Sequence, residues 1–173
     1  MDSYNRDWSL IKPASLVELL LMDCDGVLTD GNLYYGESGE ALKTFSVYDG
    51  FGIEMWHRAG FKSGIITGRK SEILAVRAKE LKVNYLFQDQ KDKLRIVNKI
   101  AEENKLVLSQ VAYAGDDYLD EETLQAVGFP IIVPNARIAS QMQNAFYPIN
   151  KGGKGAIRES IEFILSAKER NDR

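Results

Sequence analysis

Two aspartates, Asp23 and Asp25, stand at the end of the apolar run that starts at Val17 and closes at Met22. In extended chain, side chains two apart point the same way, with roughly 7 Å between their Cα atoms. Such a pair can address one reacting centre. One carboxylate can attack phosphorus, while the other protonates the leaving alkoxide and then activates water. Gly26 follows and lets the chain turn without a side chain in the way. Farther on, Gly115-Asp116-Asp117 ends another apolar run. Asp23 and Asp116 would supply two oxygens to a hard cation such as Mg²⁺, and the backbone carbonyl of Asp25 a third. Thr67-Gly68 offers a hydroxyl and an open backbone amide for a phosphoryl oxygen. Lys93 offers the positive charge that phosphoryl transfer needs near the moving group. Each piece alone has an ordinary explanation: an acidic turn, acids at a helix start, a solvated lysine. Four such pieces in one chain point to phosphate chemistry.

Positioning them requires a particular scaffold. Short apolar runs alternate with amphipathic segments, the signature of an α/β protein with a parallel sheet. Strands are expected over Val17–Met22, Ser63–Thr67, Tyr85–Gln88, Val111–Ala114 and Phe129–Val133. Helices are expected over Gly50–Ala59, Ser71–Leu81, Lys91–Glu103, Glu121–Val127, Ala136–Asn144 and Ala156–Lys168. Asn32–Val47 reads as a β-hairpin turning at Gly36-Glu-Ser-Gly39. Ligands of open α/β sheets bind beyond the carboxyl ends of the strands, and there the chemistry-bearing residues stand. The expectation is a Rossmann-like parallel sheet flanked by helices, one domain over residues 1–173, with a leader over 1–15 and a projecting hairpin over 31–48.

Composition excludes several classes. Lys and Arg number 22 against 25 Asp and Glu, a net charge of −3, and no dense basic stripe appears, so nucleic acid is not an expected partner. The first 13 residues hold Asp2 and Asp7 without an apolar run, unlike a signal peptide. No run is long enough to span a membrane. The single cysteine, Cys24, leaves no intramolecular disulfide framework and has no visible activating partner, so it reads as a packing residue. His57, the only histidine, reads as structural or surface. A reducing, cytoplasmic setting follows as the default.

The order Asp23-Cys-Asp25-Gly-Val-Leu-Thr-Asp30, then Thr67-Gly68, then Lys93, then Gly115-Asp-Asp-x-x-Asp120 resembles the haloacid dehalogenase superfamily of phosphatases. That resemblance implies Asp23 as nucleophile, Asp25 as acid/base, Thr67 and Lys93 as phosphate binders and Asp116 as Mg²⁺ ligand. Asp117 and Asp120 match the acidic end of the last motif, with supporting roles. A narrower resemblance rests on Asp30-Gly31, Val47-Tyr-Asp49-Gly50-Phe-Gly52-Ile53, Ile66-Thr67-Gly68-Arg69-Lys70 and Gly152-Gly-Lys-Gly-Ala-Ile-Arg158-Glu159. These stretches are similar to the phosphatases of 3-deoxy-D-manno-octulosonate 8-phosphate, an eight-carbon sugar acid used for bacterial lipopolysaccharide. The residue between the two aspartates, usually aliphatic in that family, is Cys24 here.

Between Asp25 and Thr67 there is room for only a hairpin and one helix, and between Thr67 and Lys93 for a helix and a strand. The chain therefore has no cap domain of its own, although phosphoryl transfer benefits from excluded water. The hairpin also carries Leu33, Tyr35, Leu42 and Phe45 with no core left to bury them. A second copy of the chain would answer both needs, and the resemblance implies homotetramers whose hairpins form a central barrel. Arg69, beside the phosphate-binding pair, suits the carboxylate of an ulosonate, and Gly68, Lys154 and Arg158 are further candidate substrate contacts. Two alternatives stand beside this reading. One is a phosphatase for a nine-carbon sialic-type sugar acid phosphate. The other is a phospho-receiver domain, which also uses an acidic pair, a Thr and a Lys.

Overall fold

The computed structural model describes residues 8–138 and 142–171. Five strands form one parallel sheet: β1 (Leu19–Met22), β4 (Lys62–Ile66), β5 (Tyr85–Phe87), β6 (Val111–Gly115) and β7 (Phe129–Ile132). They lie in the order β5-β4-β1-β6-β7. The chain runs outward from β1 to β5, then crosses back to β6 on the other side of β1. That reversal beside β1 is the switch point at which an open α/β sheet opens its ligand crevice. A receiver domain would place its first strand next to the sheet edge, in the order 2-1-3-4-5. Here the first strand is central, and the receiver alternative falls.

Central position explains the composition of β1. Leu19, Leu20, Leu21 and Met22 are all fully buried because helices cover both faces of the sheet. One side of the core gathers Leu20, Met22, Ile53, Trp56, Ile157, Ile161 and Ile164, beneath α2 (Val47–Arg58) and α6 (Ala156–Asn171). The other gathers Leu19, Leu21, Val97, Ile100 and Tyr113, beneath α4 (Lys93–Glu103). α3 (Glu72–Glu80) starts where Ser71 accepts the Leu74 N–H, as its capping position suggests.

Several expectations need correction. Val47 belongs to α2 and not to the hairpin, because the Ser46 hydroxyl accepts the N–H groups of Tyr48 and Asp49 and starts the helix there. The hairpin proper is β2 (Tyr34–Gly36) and β3 (Gly39–Leu42), antiparallel, with a register shift at Tyr34/Tyr35. Phe45 is not surplus apolar surface. It packs against the main core, and the Arg77 guanidinium lies 5.8 Å from its ring centre. The helix expected at 136–144 is not formed by its described residues, 136–138 and 142–144, while 139–141 lie outside them. Of the leader, residues 8–15 form a 3₁₀ turn and the short α1 (Ile11–Ser15), burying Leu10 and Ala14 in the core. Residues 1–7 lie outside the described chain. Among the described residues no helix is long and apolar enough to cross a membrane.

Candidate active site

Asp23 is the first residue beyond β1, fixed by its N–H bond to Ala114 O at 2.9 Å. One of its oxygens accepts the Cys24 N–H at 2.6 Å, and the other meets Lys93 Nζ at 2.8 Å. Lys93 opens α4, where Asp92 caps the helix through the Arg95 N–H. Its ammonium also donates to Asp120 Oδ1 at 2.7 Å. Asp120 is fully buried, and a charge so placed must be satisfied by neighbours. Tyr113 donates to Oδ1 at 2.6 Å, and the Asp116 and Asp117 amides donate to Oδ2 at 3.1 and 3.2 Å. Asp120 therefore shapes the loop that presents Asp116. Asp117 points its carboxylate at the Tyr118 N–H.

Asp23, Asp116 and Asp120 each bring an oxygen into a group within 4.8 Å of one another. Asp120 is already occupied by Lys93, Tyr113 and two amides. Asp116 Oδ1 is buried and has no hydrogen-bond partner among the described residues. A buried carboxylate oxygen without a partner is costly, and a hard cation shared with Asp23 would satisfy it. The electrostatics agree. Burial, then the Asp23 and Asp120 charges, push the Asp116 carboxyl up to about 7. Burial and Asp120 push Asp23 up to about 6 against the opposing pull of Lys93. A site that disfavours its own negative charge favours a bound cation.

Gly26 has a stricter job than turning the chain. A Cβ there would lie 1.9 Å from Asp116 Oδ2, at a backbone φ of +89°. Only glycine lets the Asp116 carboxylate come over the Asp23–Asp25 turn. Gly152 makes a similar close approach, since a Cβ on it would lie 1.7 Å from Gly26 O. Asn135 clamps the two segments, donating to Gly26 O at 2.8 Å and accepting the Gly152 N–H at 2.7 Å. The glycine-rich segment thus braces the turn of its own chain. Asp49, buried on α2, accepts the N–H groups of Gly155 and Arg158 and ties that segment to the start of α6.

Thr67 lies just past β4, and the pairing of Met22 with Ile65 brings it close to Asp23. It is buried, and its backbone bonds to Phe87 O and to the Gln90 N–H hold it at the sheet's end. A Cβ on Gly68 would meet Gln90 O at 3.7 Å and Leu119 at 3.9 Å, ordinary contact distances. Arg69 reaches Tyr35 Oη at 3.2 Å and Glu40 Oε1 at 3.4 Å, while its Nη1 lies 3.9 Å from Asp25 Oδ2. That Nη1 is buried without a hydrogen-bond partner among the described residues. Arg158 is turned elsewhere: it pairs with Glu162 at 2.6 Å and lies over the Phe51 ring. Lys154 is exposed. Cys24 is buried, and burial with the flanking aspartates pushes its thiol far above the reactive range. His57 bonds Ser63 Oγ at 2.7 Å, away from the site.

Sequence reasoning missed Lys43. It follows β3, is almost wholly buried, and donates to Asp25 Oδ1 while standing 3.5 Å from Glu40. Glu40 also accepts from the Ser71 hydroxyl. Glu40 stands only three residues before it on β3, but the partner that gives Lys43 its place at the site, Asp25, lies 18 residues away in the first turn.

No protein-family model matches the chain. Among known proteins, 3-deoxy-D-manno-octulosonate 8-phosphate phosphatase KdsC of Yersinia pestis is 37% identical over 93% of this chain and 86% of that protein. The crystal structure of the phosphatase from the same organism superposes with a TM-score of 0.90 at 36% identity, over 95% of this chain and 89% of that one. The Moraxella catarrhalis enzyme, solved in complex with magnesium, phosphate and KDO, gives a TM-score of 0.88 at 35% identity over 96% of each chain. Shared fold, shared sequence across nearly the whole length and the gathered aspartates lead to one conclusion: this chain belongs to the 3-deoxy-D-manno-octulosonate 8-phosphate phosphatase family of the haloacid dehalogenase superfamily.

Proposed function

We propose that the protein is a Mg²⁺-dependent phosphatase that releases phosphate from 3-deoxy-D-manno-octulosonate 8-phosphate through a phospho-aspartate on Asp23. The observation that carries it is the Asp23 carboxylate, fixed by Lys93 and the Cys24 amide at the switch point with Asp25 two residues on. Asp23 and Asp116 fit a Mg²⁺ ion, with the Asp25 carbonyl as a third oxygen; when bound, the ion offsets negative charge on the transferring group. Lys93 and the Thr67 hydroxyl hold phosphoryl oxygens, and Lys93 also holds Asp23 in line with phosphorus. Asp23 attacks and the ester bond breaks. Asp25 gives its proton to the departing sugar oxygen, then takes one from the water that cleaves the acyl phosphate. Asp120 touches neither substrate nor phosphate and positions Lys93 and the Asp116 loop.

Arg69 supports the sugar-acid reading. Its Nη1 lies 3.9 Å from Asp25 Oδ2, and a guanidinium beside the acid/base can bind a substrate carboxylate. The apolar hairpin surface, with Leu33, Tyr35 and Leu42 about half exposed or more, supports a homotetramer whose neighbouring copies close the site. A cytoplasmic role in supplying the lipopolysaccharide sugar completes the reading. The test is phosphate release from a panel of sugar-acid phosphates with Mg²⁺. The eight-carbon substrate should be preferred, and activity should vanish with excess chelator. Preference for a nine-carbon acid would overturn the substrate, and full activity in chelator would overturn the metal.

A further inference from the structure

Asp25 must use one oxygen to exchange a proton with the ester oxygen, and the structure treats its two oxygens differently. Oδ1 accepts the Lys43 ammonium, a contact made by a side chain only 2% exposed. Among the described residues Oδ2 has one cationic neighbour, Arg69 Nη1 at 3.9 Å, beyond hydrogen-bond reach. Lys43 is held in turn by Glu40 at 3.5 Å, and Glu40 by Ser71 and by Arg69 Nη2 at 3.4 Å. The base of the hairpin thus places a braced cation against one edge of the carboxylate. A charge-assisted bond of this kind fixes a carboxylate's rotation more firmly than a neutral one.

We propose that Lys43 is a positioning residue for proton transfer: by holding Oδ1 of Asp25 it leaves Oδ2 as the atom that carries the proton to the leaving group. Phosphoryl transfer then balances simply. The P–O ester bond breaks as the Asp23–P bond forms, and the Oδ2 proton moves to the alkoxide, leaving Asp25 as a carboxylate paired with Lys43. Lys43 neither gives nor takes a proton. The proposal rests on the phosphatase reading above.

Its signature is dependence on the leaving group. An alkoxide is a poor leaving group without a proton, while p-nitrophenolate leaves well unaided. The experiment compares kcat/KM, which covers the steps through phospho-enzyme formation, for glycerol 2-phosphate and p-nitrophenyl phosphate. Neither substrate has a carboxylate, so the comparison is blind to Arg69-type recognition. General acid catalysis contributes about 10²–10⁴-fold. Lys43→Met should therefore lose about 10- to 100-fold on the alkyl ester and less than about threefold on the aryl ester. Lys43→Arg, which keeps charge and donor, should recover part of the difference. If Lys43→Met does not fold by circular dichroism, Lys43→Gln takes its place, with the same selective loss expected. Equal losses on both esters, or none, would overturn the positioning role while leaving the phosphatase reading intact. A wild-type protein without activity on either ester or on the sugar-acid phosphates would instead overturn the phosphatase reading, and this inference with it.

Discussion

Lys93 and Lys43 have the same immediate surroundings and different foundations. Each ammonium belongs to a side chain 2% exposed, and each lies between an aspartate of the Asp23–Asp25 pair and a second carboxylate. Lys93, with Asp23 and Asp120, forms the floor of the site. Its second carboxylate is completely buried and is held by a tyrosine and two amides at the end of β6. Lys43, with Asp25 and Glu40, forms the roof. Its second carboxylate sits on a two-stranded hairpin, 14% exposed, whose outer side is bare apolar surface. A five-stranded parallel sheet supports the floor within one chain. An isolated two-stranded hairpin is marginally stable in water, so the roof depends on whatever covers it. The difference separates a lysine braced by the sheet from one braced by a two-stranded hairpin.

The floor should be the more sensitive to substitution. Asp23→Asn removes the nucleophile, since an amide does not attack phosphorus, and should lower turnover by at least about 10³-fold with folding unchanged. Activity within tenfold of wild type would refute the assignment. Asp120→Asn leaves Lys93 short of a buried partner and should cost about 3–5 kcal/mol in urea unfolding. Glu40→Gln in the roof should cost about 1 kcal/mol or less, as for partly exposed pairs. Equal costs would erase the distinction between floor and roof.

Arg69→Ala should cut kcat/KM for the sugar-acid phosphate by about 10- to 100-fold through loss of a charge-assisted pair. It should barely change p-nitrophenyl phosphate hydrolysis, and equal losses would assign Arg69 to the phosphate or to the hairpin. Leu33→Lys with Leu42→Lys should dissociate the assembly and lower activity roughly tenfold by loosening the roof and uncovering the site. A sedimentation profile in which the wild-type protein is a monomer would refute the assembly.

The smallest effect expected is on stability against pH. In the metal-free protein, burial raises Asp116 from 3.8 to about 7 and Asp23 to about 6. The native state then holds more protons than the unfolded chain across that interval. These groups add stability in full below pH 3.8, and lose it as pH rises toward 7. Mg²⁺ stabilises the deprotonated pair, so the melting temperature gained on adding it should be larger at pH 8 than at pH 5. A gain that does not change with pH would separate the metal from these two carboxylates.

Much of the floor was legible because its residues come in local signatures. Asp23 and Asp25 end an apolar run, Thr67-Gly68 ends another, and Asp116 to Asp120 follow a third. Apolar continuity also identified the five buried strands, with boundaries within two residues. Local pattern misled where a neighbour decided the outcome. Val47 and Phe45 looked like hairpin residues until Ser46 capped a helix and the core took Phe45. Residues 8–15 looked like a leader until their apolar side found α6.

The sequence by itself determined most of the elements, the buried first strand and the order of the motifs. Each of these follows from periodicity or from spacing of a few residues along one segment. Tertiary structure decided the strand order, the orphaned Asp116 oxygen, the approach of Gly152 to Gly26, and Lys43 against Asp25. Those contacts join residues 18 to 126 positions apart. Burial and electrostatic pairing act through space, so one chain's sequence carries no local mark of which distant charge will meet which.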